Sequence, residues 1–245
     1  MYVGSVGSHT APMWVVTKDT KTDRLEFVSI TYVPALVKLF DEILVNALDN
    51  ISRDSKGTTE LDVKVVLAGV SSLEIEIINN GEGLPVVKHK KEKMWVPELV
   101  FGHLMTGSNF TARSEADDDA ATGGQHGLGA KLANILSTSF SVETFDSKRQ
   151  LRFRQDWHRN MRVAHLPVVD SPGGTGGRVA SGYTKIAFTP DLSKFDLTAH
   201  GVSATAALDA LQGSVRVMRR RALDASAVSG LKVTFNGEKL GLRSV

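Results

Sequence analysis

Three short segments, in a fixed order, constrain this 245-residue chain more than its composition does. FDEILVNALDN (Phe40 to Asn50) sits in a helical pattern, NNGEGLP (Asn79 to Pro85) closes a strand pattern, and TGGQHGLGAK (Thr122 to Lys131) runs from a glycine-rich loop into another helix. Each segment is a weak signal by itself. Together they call for helices layered against a sheet, an α/β (α+β) architecture.

The pattern between them supports that class. After Pro34 a helix is predicted to about Arg53, with Leu36, Phe40, Ile43 and Ala47 at core-facing spacing. LDVKVVL (61–67) and LEIEII (73–78) alternate apolar with polar residues, as a half-buried antiparallel pair does, around a turn at 68–72. A short helix is expected at 95–101 and another at about 127–137, with strands at 140–145, 150–155 and 183–188. A final helix, about 202–223, precedes a strand at 231–235 and an Asn236-Gly237 turn. Residues 1–30 read as irregular chain or a hairpin, with short strands at 14–16 and 27–30. No linker or internal repeat interrupts the pattern, so one domain over 1–245 is expected. The polar stretch from Gly102 to Gly124 is longer than a loop in a compact domain needs to be, which points to a functional role.

Composition removes several classes of function. Cysteine is absent, which excludes disulfides, thiolate metal sites and a cysteine nucleophile. The 29 basic and 27 acidic side chains nearly balance, so a nucleic-acid-coating surface is not expected, although local patches remain open. No run approaches the ~18 apolar residues of a membrane span. The N-terminus has no signal-peptide pattern, and a soluble intracellular protein with no membrane partner is expected. The histidines lack an H-E-x-x-H spacing, so a transition-metal site is not expected.

On the first helix Glu42, Asn46, Asp49, Asn50 and Arg53 form a polar stripe. One reading is a solvated face. The other starts from asparagine being a poor mid-helix residue, and from flanks (Ile43, Leu44, Val45, Ala47, Leu48) that suggest a helix covered all round. Polar groups on a covered helix need partners. A carboxylate one turn before a carboxamide suits water activation beside a hard cation, with Glu42 as base and Asn46 as oxygen ligand. Asn79-Asn80 with Gly81 and Gly83 reads either as a β-turn or as a base-reading asparagine beside a backbone that a flat ring can approach. Gly123, Gly124, Gly127 and Gly129 precede a helix whose free N–H groups suit phosphate. This loop follows no clear strand and lacks the Gly-Lys-Ser/Thr of a phosphate-binding P-loop.

The order E-x-x-x-N, then a polar residue with G-x-G, then a glycine-rich lid and helix, resembles the Bergerat-type ATP fold of gyrase, heat-shock chaperones, histidine kinases and MutL proteins. FDEILVNA (40–47), NNGEGLPV (79–86), EKMWVPEL (92–99), TGG (122–124), GAKL (129–132) and PDLSKF (190–195) are similar to the ATPase domain of eukaryotic type IIA DNA topoisomerase. The similarity runs from YVGSV (2–6) essentially to the C-terminus. It implies a two-layer sandwich, with a mixed, mostly antiparallel sheet, helices packed on one face, and ATP between the helices and the lid. Glu42 would then polarise the attacking water and Asn46 would bind Mg²⁺, while Asp49 and Asn50 line the pocket. Asn79 would meet adenine, supported by Thr184 and the Gly83 turn. Gly107, Ser108 and Asn109 would contact ribose and phosphate. Gly124, Gln125, His126, Gly127, Leu128, Gly129, Ala130 and Lys131 would wrap the triphosphate.

The resemblance has departures. Gln125-His126 replaces the family's usual Arg-Asn, and Gly107 replaces a serine in its T-S-S-N turn. A lid donor to phosphate is the expected role of His126. The family completes its site with a Gln-Thr-Lys loop from a following transducer domain, and that tripeptide does not occur here. The reading is therefore of an excised nucleotide-binding domain that binds Mg·ATP, hydrolyses it slowly and dimerises weakly. In the intact enzyme ATP would drive dimerisation of the N-terminal gate and DNA strand passage, with DNA bound mainly elsewhere. A nuclear enzyme is implied, with a mitochondrial or other organellar one as the alternative. An ATP-gated, non-catalytic interaction module and another superfamily ATPase or kinase domain are the competing functions.

Elsewhere bland readings are expected. Arg216, Arg219, Arg220 and Arg221 are read as cations at a helix end, with DNA phosphate contact as the alternative. Trp14, Trp95 and Trp157 are read as packing residues, and Glu115 to Asp119 as a solvated part of the lid.

Overall fold

The computed structural model describes residues 4–19, 22–53, 57–103, 128–172, 181–197 and 201–241. The chain opens with β1 (His9–Asp19), β2 (Thr22–Tyr32) and α1 (Pro34–Arg53), followed by β3 (Glu60–Ala68) and β4 (Ser72–Gly81). Next come α2 (Val96–Gly102), α3 (Gly129–Ile135), β5 (Ser137–Asp146), β6 (Leu151–His158), β7 (Val163–Ala164) and β8 (Val168–Asp170). After β9 (Gly182–Pro190), α4 (Ala204–Ser229) leads to β10 (Lys232–Phe235) and β11 (Glu238–Lys239). Nine strands form one sheet in the order β11-β10-β3-β4-β9-β5-β6-β7, with β8 also on β6. The β10–β3 pair is parallel and the other ladders are antiparallel, giving the mixed, mostly antiparallel sheet expected.

Alternation along the strands makes the sheet two-sided. In β3 it buries Leu61, Val63 and Val65, and in β4 Leu73, Ile75 and Ile77. The registers align these residues into rows across the sheet. One row is Val65–Ile75–Phe188–Phe140–Trp157, and the next is Val63–Ile77–Ile186–Val142–Gln155. The third row, Leu61–Asn79–Thr184–Thr144–Phe153, is buried too but has three polar side chains at its centre. Helices α1 and α4 lie over the inward face and pack on each other. The opposite face carries Lys64, Glu74, Asp156 and His158, all exposed.

The hairpin is more regular than its composition suggests. β1 and β2 pair without a break from His9–Tyr32 to Asp19–Thr22, where the sequence pattern shows only short strands at 14–16 and 27–30. Backbone bonds carry this ladder, so its polar outward residues do not interrupt it. Its inner face sets Val15 and Ile30 against Val37 of α1 and Val217 of α4. Trp14 is not a packing residue. It is 53% exposed on the outer face, against Phe27 at a ring separation of 5.3 Å. Trp157 is buried in the core as expected.

Helix α4 begins at Ser203, whose Oγ accepts from Ala206 N at 3.1 Å, a normal N-cap. It runs beyond the predicted end at 223, so the four arginines lie within the helix and not at its terminus. Arg219 bridges Asp23 of β2 (2.9 Å) and Glu238 of β11 (3.1 Å), Arg220 pairs with Asp224 (2.8 Å), and Arg221 reaches Asp41 of α1 (3.0 Å). These pairs tie the helix to three other elements. Burial raises the Asp41 carboxyl above its ordinary pKa, against the opposing pull of Arg221.

Small residues bring α4 close to β2. A Cβ on Gly213 would lie 1.8 Å from the Thr31 carbonyl oxygen, and Ser214 Oγ accepts from Val33 N at 2.9 Å while donating to Ala210 O at 2.8 Å. Alanine at 213 would favour the helix by about 1 kcal/mol, but its methyl group has no room. Gly213→Ala is expected to cost about 1–3 kcal/mol net, measured by urea unfolding. Unchanged or increased stability would contradict this packing.

Candidate functional site

The polar row at the sheet centre and the polar stripe of α1 belong to elements in contact, because α1 packs on β4 and β9. The stripe is less covered than its sequence suggests. Ile43, Leu44 and Ala47 are buried, but Val45 is 44% exposed, so one side of α1 faces solvent. Glu42 is on a sheltered side, with 18% of its side chain accessible, and Lys38 pairs with its Oε1 from one turn earlier at 2.5 Å. Its other oxygen lies against the start of α3. A Cβ on Gly129 would fall 1.7 Å from Glu42 Oε2, so any side chain there would displace the carboxylate. Asn46, one turn after Glu42, is half-buried, and Asp49 is half-buried one turn further on. Asn50 is in α1 as well.

Lys131, two residues after Gly129, is 2% exposed. Desolvation lowers its pKa below the ordinary lysine value, and among the described residues no carboxylate offsets that cost. A buried cation without a counter-charge is unfavourable unless an anion completes it. Leu128, before the helix, is exposed, and Ala130 is buried. Helix α3 is shorter than predicted, starting at Gly129 and ending at Ile135. Gly107, Ser108, Asn109, Gly124, Gln125, His126 and Gly127 lie outside the described residues, as does the acidic run 115–119.

The two adjacent asparagines at the end of β4 have different tasks. Asn80 Oδ1 accepts from Thr59 N and Glu60 N, both at 2.9 Å, and its Nδ2 donates to Thr59 Oγ1 at 2.9 Å, which holds the entry into β3. Asn79 points to the inward face and is 3% exposed, and its Nδ2 donates to Asn80 O at 3.1 Å. Directly across the ladder is Thr184, and beyond it Thr144, with the two hydroxyl oxygens 3.1 Å apart. The G-x-G turn folds over this row. Gly83 has φ +78°, and a Cβ on it would lie 2.0 Å from Phe145 O, so glycine is required on both counts. Leu84 N donates to Thr144 Oγ1 at 2.9 Å and fastens the turn to β5.

Sequence reasoning missed two residues here. Thr144 is fully buried, and Asp146, also buried, accepts from Val86 N (2.9 Å), Lys148 N (3.1 Å) and Arg149 N (3.0 Å). Asp146 thereby holds the chain after the G-x-G turn. The available signal is phase: in FSVETFD, Thr144 and Asp146 continue the inward positions of Phe140 and Val142. A polar residue on the apolar phase of a strand marks either a turn anchor or a site. A concavity on the opposite sheet face, lined by residues including Lys64, Glu76, Asp156 and His158, contains none of these groups.

The arrangement therefore has two ends. One offers buried hydrogen-bonding side chains on the inward face of the sheet, Asn79, Thr184 and Thr144, of a kind suited to a planar polar ring. The other offers a carboxylate, a carboxamide and a buried cation, suited to phosphate and its counter-ion.

Comparison with known proteins identifies the family. Residues 33–193 match the family described as histidine kinase-, DNA gyrase B- and HSP90-like ATPase. The chain is 42% identical over 245 residues to DNA topoisomerase 2 of Drosophila melanogaster, covering 99% of this chain and 15% of that protein. It thus spans a small part of the curated relatives it matches. Among solved structures, the ATPase and transducer domains of DNA topoisomerase II from Balamuthia mandrillaris superpose with a TM-score of 0.78 at 42% identity, over 98% of this chain and 57% of that one. The ATPase region of Saccharomyces cerevisiae topoisomerase II gives 0.78 at 36% identity, over 99% and 58%. The layered sheet and helices are the Bergerat fold. This chain belongs to the histidine kinase-, DNA gyrase B- and HSP90-like ATPase family, and along essentially its whole length it is similar to the ATPase regions of eukaryotic type II DNA topoisomerases.

Proposed function

We propose that the chain is the ATP-binding and ATP-hydrolysing domain of a type II DNA topoisomerase, and that the recess between α1, α3 and the Asn79–Thr184 row is its nucleotide site. The observation that carries this reading is Lys131. Its side chain is covered, no carboxylate among the described residues offsets its charge, and it sits two residues from the glycine pressed against Glu42, where a triphosphate would supply an anion. Adenine then lies toward Asn79, Thr184 and the Gly83 turn. Asp49 and Asn50 line the α1 side, while Gly107, Ser108, Asn109 and the segment from Gly124 to Ala130 close over ribose and phosphates as the lid, about 102–131.

The donor set fits Mg²⁺. Asn46 offers a carboxamide oxygen on the same helix as the carboxylate, and a hard cation bound chiefly by phosphates and water needs few protein ligands. When bound, the ion neutralises charge on the phosphates. In hydrolysis, Glu42 accepts a proton from water as the water oxygen bonds to the γ-phosphorus and the bond to the β–γ bridging oxygen breaks, releasing ADP and phosphate. Gly129 leaves Glu42 room to face that water, and Lys38 holds the carboxylate from behind.

In the longer protein, ATP binding drives dimerisation of two copies and DNA strand passage in the nucleus or a DNA-containing organelle, and DNA is held mainly by other regions. The 245 residues contain no Gln-Thr-Lys loop, so by themselves they bind Mg·ATP and turn it over slowly. A turnover number equal to that of a chain extended through such a loop would overturn this last point.

Calorimetry with a non-hydrolysable ATP analogue tests the site. Magnesium-dependent binding is expected, weakened at least about tenfold in Asn46→Ala, and equal binding by both proteins would remove Asn46 as the ligand. Glu42→Gln is expected to retain binding while the hydrolysis rate falls about a hundredfold or more. An unchanged rate would exclude Glu42 as the base. Lys131 supplies a pH test with a defined sign. Nucleotide binds the protonated lysine, so affinity falls as pH rises through its lowered pKa. Lys131→Arg, charged throughout, flattens that fall, and identical profiles would show that Lys131 does not meet the phosphates.

A further inference from the structure

Thr144 is the one polar member of the central row to which the nucleotide reading assigns no part. Its hydroxyl can be accounted for proton by proton. A threonine hydroxyl has one hydrogen to donate and two lone pairs to accept with. Leu84 N–H, which can only donate, is 2.9 Å from Thr144 Oγ1 and occupies one lone pair. The Tyr183 carbonyl, which can only accept, is 2.8 Å away and takes the hydrogen. The third neighbour is Thr184 Oγ1 at 3.1 Å. Thr144 has only a lone pair left for it, so Thr184 is the donor of that bond. Its own hydrogen is then committed, and Thr184 has only lone pairs to offer the recess.

Beside it, the bond from Asn79 Nδ2 to Asn80 O sets the amide orientation, and among the described residues Oδ1 accepts no hydrogen bond. Asn79 and Thr184 are directly opposite on neighbouring strands, so these acceptors are side by side. Two adjacent acceptors match the two hydrogens of an exocyclic amino group. They oppose a ring carbonyl, whose lone pairs would meet theirs.

We propose that Thr144 is a specificity-determining positioning residue. By holding the Thr184 hydroxyl as an acceptor, without touching the ligand, it makes the recess select purine nucleotides that carry an exocyclic amine over those that carry only a carbonyl. The proposal rests on the nucleotide reading of this site and adds to it the origin of base selectivity. Its action is a choice of hydroxyl direction, which no contact between Thr144 and a base is needed to transmit.

The test compares binding of the β,γ-imido analogues of ATP and ITP, which differ only in the base: an amine in one is a carbonyl with an adjacent N–H in the other. The unaltered chain is expected to favour the adenine analogue. Thr144→Val keeps the side-chain shape and frees Thr184 to turn its hydrogen toward a carbonyl, so the preference falls about tenfold, the scale of one hydrogen bond mismatch. Thr144→Ser keeps the preference. Thr184→Val removes the acceptor and lowers the preference while leaving the Leu84 and Tyr183 bonds of Thr144 in place. Loss of the Leu84 fastening alone weakens both analogues equally, so the ratio separates selectivity from a structural role. If Thr144→Val does not fold, Thr144→Ser and Thr184→Val still decide. An unchanged ratio in Thr184→Val, or in a folded Thr144→Val, overturns the proposal and leaves the nucleotide site standing. Equal binding of both analogues by the unaltered chain also overturns it. Failure of that chain to bind either analogue overturns the proposal together with the site reading beneath it.

Discussion

The direct register of β3, β4, β9, β5 and β6 is the constraint on which the rest of this structure depends. A strand alternates with period two, so a slip of one residue would turn every inward side chain outward. Three buried rows record how strictly the register is kept: two are apolar apart from Gln155 at one edge, and the third places Asn79, Thr184 and Thr144 together at its centre. The same pairing that closes the core therefore assembles the polar row. Strand stability and site geometry are one property here, because the apolar rows hold the polar row in place.

The helices use that platform through close approach. Gly213 and Ser214 let α4 settle on the β2–α1 junction, and Gly129 lets α3 abut Glu42. In both places a missing side chain sets the distance between elements. The arginines of α4 act differently. Arg219 and Arg221 link the helix to β2, β11 and α1; Glu238 and Arg221 remain largely in water, where such pairs add little, while the Arg219–Asp23 bridge is mostly covered.

Much of this was legible in the chain. The α1 stripe, the β3–β4 alternation, the Asn236-Gly237 turn and the Gly81–Gly83 turn mark elements found at those places, because periodicity and turn chemistry are local. The misjudgements have one physical origin in contacts between distant segments. Trp14 is apolar but sits on the face of the hairpin turned away from α4. The arginine cluster resembles a helix end because its acidic partners Asp23, Asp41 and Glu238 are far away in sequence. Val45 interrupts an apparently covered helix because nothing described packs over it. Thr144 and Asp146 read as ordinary strand residues, since their partners Leu84, Val86 and Thr184 come from other turns and strands.

By itself the sequence determined the fold class and the kinds of chemistry available: a carboxylate and carboxamide one helical turn apart, an asparagine before a glycine turn, and a lysine after a glycine loop. These follow from spacing along one element, where backbone geometry alone decides which side chains share a face. Only the tertiary structure decided which of two adjacent asparagines faces inward, that Lys131 is covered with no carboxylate partner among the described residues, and that Gly129 meets Glu42. Burial and hydrogen-bond direction are set by neighbours that folding brings from other parts of the chain. The lone-pair pattern that Thr144 imposes on Thr184 depends on three such neighbours at once.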